Sequence, residues 1–331
     1  MRLLFVGDVM LGRLVNEALR NAPAMYPWGD TLALFQAADL RCCNLECALS
    51  DRGTPWTATP KAFHFRSDAR NSAVLRAAHI DIVSLANNHA LDYGMEALAD
   101  TITLLDAAAI RHAGAGSTLE EAAQLATAET FVGKIGLLAF SDNEPVWEAR
   151  SGEPGILYVP VDLADIRATH LFERVRQARA MVDFLIVSAH WGSNWGYIPP
   201  PEHVRFGRAL IDAGADTVFG HSSHVCRGVE IYRGRPILYG AGNFIDDYAV
   251  DLVERNDESC IFVLETDQHR PHHLQMYPSV IEDFHARLAP NPWAEDIARK
   301  LQRLCADLGT VATWHADDGC LDIPFPDGDQ S

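Results

Sequence analysis

Near the start of the chain stands Leu3-Leu4-Phe5-Val6-Gly7-Asp8, a short apolar run that is followed at once by a carboxylate. Such a run is typical of a buried strand. Similar runs alternate with alanine-rich stretches of helical pattern along the 331 residues. This alternation favours a mostly parallel sheet covered by helices, so we expect an α/β protein.

Side chains of the kinds that bind metal ions follow five of these predicted strands. The strands and the residues after them are 3–6 with Asp8, 40–43 with Glu46, 80–86 with Asn88, 184–189 with His190, and 217–219 with His221 and His224. In α/β sheets the loops beyond the carboxyl ends of the strands form the binding crevice. We therefore expect all six side chains to meet at one edge of the sheet.

The chemistry of these six residues predicts two divalent metal ions. Imidazole, carboxylate and amide ligands without a thiolate suit manganese, iron or zinc. Six ligands are more than one open catalytic site uses, so we expect a pair of ions, with Glu46 as the bridging ligand. Each residue alone has a structural explanation: Asp8 could cap a helix, and Asn88 could hydrogen-bond within its loop.

Composition limits the partners. The formal net charge is −18, which argues against nucleic acid as a partner because the field of the protein would repel phosphates. The seven cysteines contain no Cys-x-x-Cys pair, which fits a reducing, cytoplasmic location. We expect neither a signal peptide nor a membrane segment, and we expect a small anionic or peptide substrate.

The domain organisation is predicted to be one large domain at 1–265 and a C-terminal extension at 266–331 packed on the same domain. Two pairs of apolar runs, around Gly133-Lys134 and around Arg233-Gly234, predict hairpins, so antiparallel strands join the parallel ones. After residue 267 the chain turns polar, and the pattern then predicts one further helix at 294–308 and a weakly patterned tail.

Several motifs together resemble a known family. They are Gly7-Asp8-Val9-Met10-Leu11-Gly12-Arg13, Asn44-Leu45-Glu46, Asn87-Asn88-His89 with Asp92-Tyr93-Gly94, His190-Trp191-Gly192, Gly220-His221 with His224-Val225, and Gly242-Asn243-Phe244, joined by Lys61 and Phe65-Arg66. In this order they are similar to the CapA/PgsA poly-γ-glutamate capsule biosynthesis family, which is related to the calcineurin-like metallophosphoesterases. The resemblance implies a four-layer α/β/β/α sandwich with mixed sheets and a dimetal centre.

The resemblance also implies roles for particular residues. Asp8, Glu46 and His224 would bind one ion, and Glu46 would share the second ion with Asn88, His190 and His221. Two features depart from the pattern. Met10 stands where the wider superfamily has a histidine, so one ion would have fewer protein ligands. A leader or membrane anchor, typical of capsule proteins of this family, is not expected here.

The predicted catalytic residues are His89 as general acid, Asp92 as the group that orients it, and Arg13 as an anion-holding cation. The predicted substrate-binding residues are Lys61 and Arg66, as further anion-holding cations, and Trp191, as part of an aromatic cluster with Trp195 and Tyr197 that could line a peptide cleft. Packing is the commoner fate of such aromatic side chains.

Three functions remain open on the sequence. The first is metal-dependent hydrolysis, phosphoesterase-like, of an anionic or poly-γ-glutamate-related substrate at a phosphorus or acyl centre. The second is a metal-dependent peptide-modifying enzyme that epimerises a Cα centre. The third is a non-catalytic accessory protein of poly-γ-glutamate synthesis that uses metal for structure or binding.

Overall fold

The computed structural model of the protein describes residues 1–267 and 270–325. The α-helices of this part are α1 (Arg13–Ala18), α2 (Leu32–Gln36), α3 (Ser72–Ala77), α4 (Gly94–Ala107), α5 (Leu119–Ala122), α6 (Ile166–Arg179), α7 (Pro201–Ala213) and α8 (Trp293–Ala306). Short 3-10 helices lie at Tyr26–Thr31, Ala69–Asn71 and Pro145–Trp147.

The strands alternate with these helices along the chain. The first half contains β1 (Arg2–Val9), β2 (Leu40–Leu45), β3 (Ala48–Leu49), β4 (Arg66–Ser67), β5 (Ile82–Ser84), β6 (Arg111–Ala113), β7 (Ala115–Gly116), β8 (Ala126–Thr130), β9 (Gly133–Ser141) and β10 (Gly155–Ile156). The second half contains β11 (Phe184–His190), β12 (Thr217–His221), β13 (Val229–Tyr232), β14 (Arg235–Leu238), β15 (Asn243–Ile245), β16 (Glu258–Asp267), β17 (Arg270–Glu282), β18 (His285–Leu288), β19 (Thr313–His315) and β20 (Cys320–Pro324).

The larger sheet has a parallel half and an antiparallel half. Its strand order is β19-β20-β17-β16-β1-β2-β5-β6, with β15 paired to β1 and β18 paired to β17. Strands β1, β2, β5 and β6 run parallel, whereas β16 pairs antiparallel with both β1 and β17. The parallel half places the carboxyl ends of β1, β2 and β5 side by side at one edge.

The second sheet also combines parallel and antiparallel strands. Its order is β13-β14-β12-β11-β9-β8, with β9, β11, β12 and β14 parallel and a hairpin at each end. Both predicted hairpins are therefore present. Strands β11 and β12 end next to each other, and His190 lies opposite His221 in their register.

The two sheets pack face to face with helices outside them. Phe5 of the larger sheet contacts Phe219 of the second, with ring centroids 5.4 Å apart, inside one continuous apolar cluster. A second cluster lies between the larger sheet and α4, and a third lies between the second sheet and helices α6 and α7. The result is a four-layer α/β/β/α sandwich with mixed sheets, which confirms the expected fold class.

The segment after residue 267 contributes strands that the sequence analysis did not predict. Strand β17 pairs with both β16 and β20, and α8 packs Ile297 and Leu301 into the cluster between the sheets. Pro271, Pro278 and the polar side chains near them hide the alternating pattern of this strand. The division at residue 265 stays a prediction, and residues 268–269 and 326–331 of the expected extension lie outside the described part.

Several strands extend further than predicted, so that ligand-type residues lie inside strands and not in the loops after them. Asp8 lies within β1, which continues to Val9. His190 and His221 are the last residues of β11 and β12 because pairing between these two strands continues to their ends. Backbone hydrogen bonds of the sheets therefore fix the positions of these three side chains.

Gly7 lets the backbone of another strand approach β1 closely. A Cβ atom at this position would lie 1.8 Å from the carbonyl oxygen of Gly242, which accepts a hydrogen bond of 2.9 Å from the amide of Asp8. The register between β1 and β2 shifts between Val6 and Asp8. Such an irregularity bends the strand and changes the direction of the next side chain. The irregularity at Gly7 therefore sets the direction in which the Asp8 carboxylate points.

We predict that Gly7→Ala lowers the free energy of unfolding by about 3 kcal/mol, because the new methyl group displaces the backbone at Gly242. It also weakens metal uptake through Asp8. Urea denaturation and metal analysis measure the two effects. The control is Gly152→Ala, where space is open and the left-handed φ of 77° costs only about 1 kcal/mol. Equal losses in the two variants would contradict the role of Gly7.

Candidate metal centre

Two buried carboxylates form the base of the site. Asn44 of β2 donates from Nδ2 to Asp8 Oδ1 at 2.8 Å and to Glu46 Oε2 at 3.2 Å. Asn87 in turn donates to the Asn44 side-chain oxygen at 3.0 Å, which fixes the orientation of the Asn44 amide. The side chains of Asp8 and Glu46 are 2 % and 0 % exposed, so water does not screen their charges.

Two histidines from the second sheet face this base. His190 and His221 place their Nδ1 atoms 2.8 Å apart, and His221 Nδ1 lies 3.8 Å from Asp8 Oδ1. Ser188 bonds to the other ring nitrogen of His221 at 2.7 Å, and Asn88 Oδ1 lies 3.1 Å from His190 Nε2. A metal-binding histidine commonly has its second nitrogen bonded in this way.

His224 approaches from the loop after β12. Its φ of 56° is left-handed, as is the φ of 94° at Ser222, so the chain turns tightly between the two histidines of the His-x-x-His pair. His224 Nδ1 lies 2.8 Å from Asn243 Oδ1 and 3.9 Å from Asp8 Oδ2. Asn243 lies opposite Asp8 in the register of β1 and β15.

The donor atoms fall into two groups that share Asp8. In each group the atoms lie within 4.8 Å of one another, and the groups are Asp8 with His190 and His221, and Asp8 with Glu46 and His224. The predicted bridging role belonged to Glu46, and it stays a prediction. The Met10 thioether accepts a hydrogen bond from the amide of Gly12 at 3.0 Å and packs in the core.

The residues present fit divalent cations. Among the described residues, Asp8 Oδ2 and Glu46 Oε1 are buried without a hydrogen-bond partner. Burial raises the pKa of both carboxyls, and the nearby Asp8 raises that of Glu46 further. Burial also lowers the pKa of His190 and lowers that of His221 to about 3, which keeps both imidazoles neutral, the form that binds metal. A cation would compensate the two carboxylates.

His89 lies beside this centre, and its predicted role as general acid stays a prediction. Its Nδ1 lies 2.5 Å from Asp92 Oδ2, and its Nε2 lies 3.8 Å from Glu46 Oε1. Asp92 also accepts a hydrogen bond of 2.6 Å from the amide of Phe65, whose ring stacks on His89 with centroids 3.9 Å apart. Burial lowers the pKa of His89, and the Asp92 carboxylate opposes that shift.

The ammonium group of Lys61 is bound by oxygen atoms of the protein. Its Nζ donates to the Asn88 carbonyl at 2.5 Å and lies 3.0 Å from Glu144 and 3.4 Å from Asp92. The side chain is 7 % exposed. Lys61 therefore ties the Asn88 loop to the carboxylate that orients His89. Its predicted role in binding a substrate anion stays a prediction.

The other predicted residues are spread over different environments. Arg13 lines the pocket above the centre and forms an ion pair of 3.2 Å with Asp247. Arg66 lies over the ring of Tyr93 and donates to backbone carbonyls. Trp191 is fully buried and donates to the Tyr239 carbonyl, so it packs in the core. Of the predicted aromatic cluster, Trp195 lines the pocket.

The residues that orient the ligands were not among the predicted site residues. They are Asn44, Asn87, Ser188 and Asn243. Three of them lie inside the motifs Asn44-Leu45-Glu46, Asn87-Asn88-His89 and Gly242-Asn243-Phe244. Their place in these motifs is the feature of the sequence that could have indicated them. Ser188 lies two residues before His190 and therefore points to the same side of β11.

Comparison with known proteins gives the family. Residues 2–248 match the family described as "Bacterial capsule synthesis protein PGA_cap". The chain belongs to this family. A probable polyglutamine synthesis accessory protein of Mycobacterium tuberculosis is 40% identical in an alignment 286 residues long that covers 73% of this chain and 73% of that protein. The PGA biosynthesis protein CapA of Bacillus subtilis is 28% identical over 73% of this chain and 62% of its own length.

A solved structure agrees with the fold of this PGA_cap member. A hypothetical protein from Thermus thermophilus aligns with a TM-score of 0.51 at 15% identity, over 84% of this chain and 98% of that chain. The calcineurin-like phosphoesterase YfkN from Bacillus subtilis aligns with a TM-score of 0.46 at 12% identity, over 93% of this chain and 97% of that chain.

Within residues 1–267 and 270–325, none of the helices combines the length and apolarity that a bilayer crossing needs.

We predict that the two donor groups lose metal separately. His190→Ala removes about one of two bound ions per chain, and His224→Ala removes about one as well, because each variant spares the other group. Elemental analysis after gel filtration in manganese measures the content. The control is His112→Gln, which changes a histidine paired with Asp106 at the edge of the sheet. If either alanine variant kept its full metal content, the assignment of that histidine would be wrong.

We predict that Lys61→Met lowers the free energy of unfolding by about 3 kcal/mol, because it leaves the buried Asp92 carboxylate without its cation. Urea denaturation measures the loss. The comparison variant is Arg52→Met, which breaks an exposed pair with Asp100 and should change stability far less. Similar stability of the two variants would show that the Lys61 contacts do not stabilise the protein.

Proposed function

We propose that this chain is a CapA-type, metal-dependent enzyme of poly-γ-glutamate synthesis whose centre performs phosphoesterase-like hydrolysis of an anionic substrate. The observation that carries the proposal is the pair of donor groups sharing Asp8, with His89 beside them at the floor of an open pocket. The names of the relatives support the link to polyglutamate, and the arrangement of His89 supports a catalytic role.

The two ions would be held by the residues of the two groups, and Asn88 is close enough to His190 to join the group that contains His190 and His221. Bound divalent ions supply Lewis-acid polarisation of a substrate oxygen and a nucleophile at neutral pH. The protein supplies the position of the substrate. Because the ligands are fixed by strand pairing, the reacting group meets a rigid site.

His89 would supply the proton that the leaving group requires. As a general acid His89 would be an imidazolium, with Nδ1–H donating to Asp92 and the second proton on Nε2, which points towards the centre. His89 donates that proton to the leaving oxygen as its bond to phosphorus breaks, and solvent restores it afterwards. Phe65 covers one face of the ring and keeps water from that side.

A non-catalytic accessory role is the second candidate, because the relative from Mycobacterium tuberculosis is named a probable accessory protein of polyglutamine synthesis. In that case the ions would serve structure or partner binding. The two proposals differ in one measurable property, which is turnover by the isolated, metal-loaded protein.

The test is a screen of the manganese-loaded protein with aryl phosphomonoesters, phosphodiesters, an acyl phosphate and γ-glutamyl peptides. We expect metal-dependent turnover of one class. His89→Gln should lower kcat by about 100-fold to 10,000-fold with unchanged metal content, since it removes the proton donor and leaves the ligands intact. His112→Gln serves as the matched control with full activity.

Two results would argue against an enzyme. One is the absence of turnover by fully loaded protein in every class, which would favour the accessory role. The other is a kcat in His89→Gln equal to that of the unchanged protein, which would remove His89 from the reaction.

A further inference from the structure

The pocket above the centre has aromatic walls. It encloses about 420 Å³, and Asn88, His89 and His224 lie at its floor. Its volume is in the range of pockets that bind small molecules. Phe63 and Trp195 also line it. These two rings are 58 % and 44 % exposed, so part of each apolar ring is accessible to a ligand.

The aromatic rings surround the floor on several sides. Trp195 and Tyr248 lie 5.8 Å and 5.3 Å from the His224 ring, and Tyr248 meets it edge on. Phe63 stacks on Phe65 at 6.4 Å, Phe65 covers His89, and Phe65 lies 5.7 Å from Tyr248. These rings form one continuous aromatic lining, which a flat ring entering the pocket would contact.

The cations that line the pocket are already paired. Arg13 lies 3.2 Å from Asp247 and sits over the rings of Phe63 and Phe65 at 5.5 Å and 5.7 Å. Lys61 lies between Glu144 and Asp92. Positive charge able to receive an anion would therefore have to come from cations bound where the candidate metal ligands converge.

We infer that this pocket takes a small ligand with one anionic group at the floor and a compact aromatic body between the walls, and not a stretch of polyanionic chain. The inference rests on the proposed function and specifies its substrate class. A γ-linked glutamate chain carries a carboxylate on every residue. Only one of them could reach the floor, and the next would lie against aromatic faces and lose hydration without a new partner.

The experiment measures binding and not turnover, with the manganese-loaded protein and three stable probes: phenylphosphonate, methylphosphonate and tri-γ-glutamate. We expect phenylphosphonate to bind about tenfold tighter than methylphosphonate, because its ring gains contact with the aromatic walls. We expect tri-γ-glutamate to bind more weakly than phenylphosphonate. Isothermal titration calorimetry gives the three dissociation constants.

Two variants test whether the aromatic side chains of the pocket cause the preference for phenylphosphonate. Phe63→Ala and Trp195→Ala should each reduce the advantage of phenylphosphonate about threefold and leave the affinity for methylphosphonate unchanged. Both side chains are partly exposed, so the variants should fold, which circular dichroism checks. The matched control is Leu252→Ala, which removes an 87 % exposed apolar side chain that does not line the pocket.

Each outcome decides the inference. Equal affinity for the two phosphonates, an unchanged preference in both wall variants, tighter binding of tri-γ-glutamate, or no binding of any probe would overturn it. Tighter binding of tri-γ-glutamate would leave the proposed function standing. The expected preference without turnover of any substrate would support the pocket assignment and contradict the proposed enzyme.

Discussion

The burial of Asp8 and Glu46 around one amide donor is the constraint on which the centre depends. Asn44 Nδ2 serves both carboxylates, and one oxygen of each is left without a partner among the described residues. Two such groups cannot both stay ionised in the interior unless a positive charge compensates them. In the proposed function divalent cations would supply that charge, and the neutral imidazoles of His190 and His221 would add ligands without adding a proton.

The strand arrangement explains why residues far apart in sequence meet here. In both sheets the central strands run parallel, so their carboxyl ends lie at the same edge, and packing of the sheets brings those edges together. This is also why a common location for the six candidate ligands could be predicted from sequence, whereas their role as metal ligands stays a prediction. A ligand-type side chain after each of several buried runs is a local pattern, and parallel pairing turns it into a common location.

The features that escaped prediction depend on contacts between strands. Asn44 and Asn243 orient Asp8 and His224 because they lie opposite Asp8 in two different pairings, and a sequence does not state its register. Lys61 is predicted from sequence to hold a substrate anion, but its partner Glu144 lies 83 residues away, and the sequence does not reveal that pairing. Strand β17 was hidden by its prolines, although pairing on both sides stabilises it.

The pairing of the pocket's cations has a consequence for the order of binding. With Arg13 bound to Asp247 and Lys61 bound to carboxylates, both of these lining cations are already neutralised by groups of the protein. The net charge of −18 over the whole chain adds no attraction for an anion. Under the proposed function, bound divalent cations would supply the positive charge locally. Occupancy of the metal centre would then be the condition for anion recognition, and the aromatic walls would select among anions.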